Sequence, residues 1–172
     1  SPAGEKVESV AETVAPQSVR KNISELEANN SNVELFGTVV QSFEPRFFEV
    51  CPQCGKRAKP SEGSFNCAAH GPVTPQYSYV MNAVLDDGTE TIRGVFFRDQ
   101  AEKLVGKSRE EMLSYKDNVP AFDAVKNELL GKQIKVVGRV NKNEMFERLE
   151  FVVNQVDANP DPKQEIERIG KQ

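Results

Sequence analysis

Residues 77–97 read YSYVMNAVLDDGTETIRGVFF. Two apolar runs flank Asp86-Asp87-Gly88, a turn in which glycine accepts the positive φ that a tight hairpin needs. Tyr77 to Leu85 is therefore expected as one strand and Thr89 to Phe97 as its partner. In the second strand, Ile92, Gly94 and Phe96 fall on one face, with Arg93, Val95 and Phe97 on the other. Gly94 in mid-strand marks a bend or a close backbone approach. In the first strand, Tyr77 and Tyr79 share a face with Met81 and Leu85, so at least one of the two belongs to the core.

Upstream, Val33 to Gln41 reads as a strand that Phe47, Phe48 and Val50 extend. From Cys51 to Pro75 the pattern gives way to Pro, Gly, Ser, Lys and a Cys/His set. Downstream, Arg98 to Val105 reads as a helix that Gly106 stops. Ser108 caps a second helix, with Glu110 and Glu111 in its first turn. Ala121 to Leu130 reads as a third helix, closed by Gly131. Lys132 to Val140 is expected as a strand, Asn141 to Asn143 as a turn and Met145 to Val156 as the returning strand.

The order is strand, insertion, hairpin, helices, hairpin. It matches a mainly β, five-stranded OB-fold barrel with helices between strands 3 and 4 and a zinc-ribbon insertion between strands 1 and 2. Phe36, Phe96, Phe122 and Phe151 are assigned to its core. Residues 1–21 are expected as a flexible acidic lead-in and residues 22–158 as the domain, with Ile23 and Leu26 docking a helical turn on it. The insertion occupies residues 50–75. Residues 159–172 form a short C-terminal helix or tail, a candidate subunit-assembly element with Ile166 and Ile169 as its apolar contacts. The chain starts on Ser1 rather than Met, which suggests a piece of a longer protein.

Cys51-Pro-Gln-Cys54 is a C-x2-C pair, and twelve residues later Cys67-Ala-Ala-His70 is a C-x2-H pair. Each pair makes a knuckle whose side chains converge, and two knuckles complete the tetrahedron that zinc prefers. Every cysteine and the single histidine of the chain fall in this pattern. Four protein ligands close the shell, so one structural Zn2+ is expected rather than a catalytic ion with an open position. A zinc deaminase is excluded: Val50 stands where its signature needs proline, and no upstream His-x-Glu exists. With the histidine engaged, no Ser-His-Asp or Cys-His catalytic arrangement remains. Phosphate-binding glycine loops and nucleophile elbows are absent too, so no enzyme is expected.

The chain has 172 residues and a net charge of −4, which argues against a strongly basic nucleic-acid binder. The positive charge is nevertheless concentrated. Residues 50–75 carry a net +2 and residues 131–149 a net +3. These segments hold the two loops that flank the oligonucleotide groove of an OB barrel. Single strands are held by aromatic platforms for bases and basic groups for phosphates. The candidates are Arg46, Phe47, Phe48, Lys56, Arg57, Lys59, Tyr77, Arg93, Phe97, Arg139, Lys142 and Arg148, within a wider set that includes Phe43, Phe65, Tyr79, Arg98 and Phe146. Arg46-Phe47-Phe48 is the best mixed cluster. No apolar run approaches the roughly 18 residues of a membrane span, and no signal peptide is visible.

The zinc knuckles, Tyr79 to Asp87-Gly88-Thr89, Ile92-Arg93-Gly94-Val95-Phe96-Phe97 and Ala101-Glu102-Lys103-Leu104 together resemble the zinc-containing OB domain of the replication protein A large subunit, archaeal type. The resemblance covers residues 22 to 158. It implies single-stranded DNA binding in replication, repair and recombination, inside a heterotrimer with other OB-fold subunits and in contact with replication enzymes. It implies a cytoplasmic, nucleoid-associated place in an archaeon or a nuclear one in a eukaryote, and no membrane partner. His70 departs from the four-cysteine set of many relatives but remains a valid ligand. The competing reading is an assembly module that binds other OB subunits with little DNA affinity of its own, which the acidic balance favours. An RNA-binding barrel with a zinc ribbon is a third.

Overall fold

The computed structural model describes residues 18–161 and Lys163. The lead-in up to residue 17 and the body of the expected C-terminal helix lie outside the described residues.

Val19–Arg20 (β1), read in the sequence as the end of the lead-in, already pairs in parallel with the first long strand, Val33–Ser42 (β2). Between them a 3-10 turn, Ile23–Glu25, seals the barrel with Ile23 and Leu26, both buried. Arg46–Val50 (β3) is not a continuation of β2 as expected. It is a separate strand, paired antiparallel with Gln76–Asp86 (β7). The break falls at Phe43-Glu44-Pro45, and proline cannot donate to a ladder. The intervening insertion forms its own small sheet from Lys59–Ser61 (β4), Ser64–Cys67 (β5) and Gly71–Val73 (β6).

Thr91–Phe97 (β8) pairs with β7 in the expected hairpin. Arg98–Val105 (α1), Arg109–Ser114 (α2) and Phe122–Leu129 (α3) follow, and the Ser108 hydroxyl caps α2 by accepting from the Glu111 amide. Gln133–Asn143 (β9) and Arg148–Asp157 (β10) complete the chain. β2 pairs with β9, β9 with β10, β10 in parallel with β8, β8 with β7, and β7 with β2, so five strands close into an OB-type barrel.

Burial alternates along β7: Tyr79, Met81, Ala83 and Leu85 point inward. The Tyr79 hydroxyl donates to Glu102 on α1, and burial together with that carboxylate raises the phenol's pKa. The bond ties the helix to the barrel. Phe96, Phe122 and Phe151 are fully buried as expected, with Tyr115 edge-on to Phe122 at 5.0 Å. Phe36 is a correction: it is half-buried on the outer face of β2, with the Arg20 guanidinium 5.6 Å from its ring. Its neighbours Leu35 and Gly37 take the inward positions instead. The expected turn at Asn141 to Asn143 is also corrected. Those residues remain in β9, paired with 148–150, and the turn falls at residues 144–147. Glu147 there has φ 49°, a left-handed conformation that no Gly or Asn announces in the sequence.

One glycine sits where nothing larger fits. A Cβ on Gly138 would lie 2.0 Å from the Val152 carbonyl oxygen of β10, beside the bulge at Val153/Gln155. Gly138→Ala therefore has to push two paired backbones apart, and we expect a loss of about 1–3 kcal/mol of stability. A shift in the urea midpoint worth less than about 1 kcal/mol would contradict this packing.

Candidate metal centre and nucleic-acid groove

The insertion has almost no apolar core. Val50, Cys51, Ala58 and Cys67 are buried, while most of β4 to β6 is exposed. What brings its two ends together is a cluster of Cys51, Cys54, Cys67 and His70, whose ligand atoms lie within 4.8 Å of one another. The Cys54 and Cys67 sulfurs are 3.6 Å apart, too far for the ~2.05 Å of a disulfide. His70 Nδ1 lies 3.5 Å from the Cys51 sulfur and 3.6 Å from that of Cys67. A tetrahedron with zinc–sulfur bonds of about 2.3 Å and a zinc–nitrogen bond of about 2.0 Å has edges of about 3.8 and 3.5 Å. Three donor separations thus match the edges of a zinc-sized site, all four donors lie within 4.8 Å of one another, and their thiolate and imidazole chemistry suits such an ion.

The backbone around the cluster supports thiolates. Gly55 and Gly71, one residue past each pair, adopt the left-handed φ values 76° and 70° that turn the knuckles. The Gln53 amide points at the Cys51 sulfur, 3.4 Å away. The Ala69 amide, the His70 ring and the His70 amide outweigh desolvation and hold the Cys67 thiol down at about 6. The Lys56 amide acts on Cys54 in the same sense, but burial and the Cys67 and Cys51 sulfurs outweigh it and leave that thiol raised. The Cys51 amide donates to the Lys56 carbonyl within the first knuckle, and the Ala58 amide joins the ribbon to the barrel by donating to the Glu49 carbonyl on β3.

The outer face of β7 and β8 forms a groove beside this ribbon. A hollow of about 600 Å³ is lined by Arg46, Val80, Asn82, Arg93, Val95, Phe97, Asn143, Phe146, Arg148 and Glu150. A second, of about 450 Å³, continues it past Phe97 to Arg98, Asp99, Gln100, Arg139, Val152 and Asn154. β3 supplies one wall, the β9–β10 hairpin the other, and α1 the far end. Phe97 is 49% exposed and belongs to both hollows. Phe146, in the first hollow, is 60% exposed, and arginines stack on it and on two further aromatics. The Arg93 guanidinium lies 4.5 Å from the Phe43 ring, Arg148 4.7 Å from Phe146 and Arg57 5.2 Å from Phe48. Such pairs hold flat cationic and aromatic surfaces together at the rim.

The structure thus gathers Arg46, Arg93, Phe97, Arg139 and Arg148 along one groove. Phe48 shares the Arg46 face of β3, since the two alternate with Phe47, and Arg57 covers it from the ribbon. Lys56 and Lys59 are exposed on the ribbon itself. Three candidates point elsewhere. Phe47 turns inward and meets Tyr79 edge-on at 5.7 Å. Tyr77 has the inward parity of β7, and the Lys116 ammonium lies 4.3 Å from its ring. Lys142 pairs with Leu149 on the face of the hairpin opposite Asn143 and Arg148. Asn82, Gln100, Asn143 and Glu150 are groove residues that sequence reasoning did not single out. Alternation from Arg93 across the hairpin register was the one signal available for Asn82.

A closed five-stranded barrel with a Cys3His ribbon between its first and second strands defines an OB-type protein with a metal-binding insertion. A family model described as the replication factor-A C-terminal domain matches residues 34–168, and the chain belongs to that family. No match was found among curated proteins. A replication protein A heterotrimer bound to single-stranded DNA is similar in structure, with a TM-score of 0.70 and 17% identity over 90% of this chain. This chain spans 40% of that one. Yeast replication protein A bound to single-stranded DNA gives a TM-score of 0.65 and 15% identity, covering 94% of this chain and 93% of the other. At these identities the likeness is one of fold. No helix among the described residues is long and apolar enough to cross a membrane.

Proposed function

We propose that the chain is the zinc-bearing, single-stranded DNA-binding barrel of a replication protein A large subunit of archaeal type, acting in replication, repair and recombination. The observation that carries this reading is the groove on β7 and β8. It combines an exposed aromatic, Phe97, with Arg46, Arg93 and Arg148, and it lies between β3 and the β9–β10 hairpin. That combination suits bases stacked on a ring and phosphates met by guanidinium groups. Family membership and the DNA-bound state of both structural relatives support it. Zinc held by Cys51, Cys54, Cys67 and His70 is the ribbon's structural element, supplying cross-links in place of a core.

The heterotrimeric relative supports other OB-fold subunits as partners. The pI near 5.2 favours a modest share of the DNA affinity for this barrel. Fluorescence titration with oligo-dT and oligo-U separates the alternatives. DNA binding that weakens with salt is the expected result. Absence of DNA binding with retained capture of OB subunits would replace this reading with the assembly module, and preference for oligo-U with an RNA binder.

A further inference from the structure

Two side-chain polar atoms among the described residues are buried without a hydrogen-bond partner, Asn82 Oδ1 and Gln100 Oε1. Both residues line the groove, Asn82 in the first hollow and Gln100 in the second, on either side of Phe97. Buried amide oxygens are ordinarily satisfied, because leaving one unpaired is costly. That the two orphans fall one to each hollow sets these amides apart from the rest of the surface.

We propose that Asn82 and Gln100 are specificity-determining residues that accept hydrogen bonds from the amino groups of bases lying in the two hollows. The proposal rests on the single-stranded DNA reading and deepens it. Both residues are only partly buried, and their terminal amide torsions are soft, so a modest rotation turns each oxygen from its sealed position into the hollow. In the first hollow the single carboxylate, Glu150, is already engaged: the Asn143 amide donates to it and Arg148 meets it at 3.5 Å. Cytosine and adenine present an exocyclic amino group as donor. Thymine offers a single ring N–H set between two carbonyl oxygens, so an amide oxygen that approaches that N–H also meets the repulsion of a flanking carbonyl. The groove therefore favours cytosine over thymine at the positions beside Phe97.

The test uses the zinc-loaded full chain and fluorescein-labelled decamers of dT, dC and N4,N4-dimethyl-dC, which keeps the cytosine ring but has no amino hydrogen. The expected result is dC bound about threefold to tenfold more tightly than dT, with the advantage lost in the dimethylated decamer. In Asn82→Leu/Gln100→Met the dC-to-dT ratio should fall to about one. Equal or tighter binding of dT, full retention of affinity by the dimethylated decamer, or a ratio unchanged in the double variant would overturn the proposal while leaving DNA binding intact. Failure of all three decamers to bind would overturn both this proposal and the functional reading beneath it. The dimethylated decamer needs no variant, so the outcome does not depend on how the substitutions fold.

Discussion

Removing the metal is expected to release one zinc per chain and to disorder residues 50–75 while the barrel stays folded. A structural zinc site carries about 10–16 kcal/mol of apparent binding free energy near neutral pH. The ribbon has little else to hold it, since its buried side chains are Val50, Cys51, Ala58 and Cys67, two of which are ligands. The barrel, by contrast, encloses a continuous core that runs from Ile23 to Val153 and includes no ligand residue. Hydrogen exchange after treatment with a strong chelator should show protection lost over β4 to β6 and retained over β7 to β10. Cys67→Ser should give the same pattern without chelator, because it removes the thiolate whose ionisation the Ala69 amide and His70 favour. Carefully purified protein without zinc, or a ribbon equally protected before and after chelation, would refute the account of the insertion.

The second large effect is expected in the groove, and two substitutions should separate its two kinds of contact. Phe97→Ala removes the exposed ring shared by both hollows and should cost about 1–3 kcal/mol of binding free energy, with the salt dependence unchanged. Arg46→Ala removes an exposed guanidinium at the β3 wall. It should weaken binding to all sequences alike and reduce the slope of log K against log salt by about 0.7, the value for one phosphate contact on a single strand. Adding Phe48→Ala to Arg46→Ala should deepen the loss, because Phe48 lies on the same face of β3 under Arg57. Phe47→Ala is the contrast: its ring packs against Tyr79, so its cost should appear in stability rather than in DNA affinity. Unchanged affinity in the Arg46/Phe48 double variant would remove that wall from the binding surface.

The sequence carried the parts of this molecule that depend on local chemistry. The C-x2-C and C-x2-H spacings name the four residues that the fold brings within 4.8 Å. The Asp86-Asp87-Gly88 turn and the alternation after it place Arg93 and Phe97 on the outer face of β8, as observed. Where the reading went astray, the missing information was tertiary. Nothing local says whether Phe36 or Leu35 turns inward, because both faces of that strand are apolar. The β9–β10 turn was placed early because Asn141-Lys142-Asn143 has turn composition, whereas the chain turns at 144–147 with Glu147 in a left-handed conformation. Tyr77 and Lys142 were plausible by residue type, and only the strand register puts them on other faces. Asn143 and Glu150 were invisible for the opposite reason, and Asn82 nearly so: ordinary polar residues gain meaning from a shared groove, which requires three strands in register.

Binding of single-stranded DNA in this groove is expected to combine base stacking with phosphate contacts. Its most direct test is a titration of the zinc-loaded chain with a fluorescent dT oligonucleotide at several salt concentrations. Phosphate contacts from Arg46, Arg93, Arg139 and Arg148 predict a slope of log K against log salt of about −3. No binding at low salt, or binding indifferent to salt, would contradict this expectation.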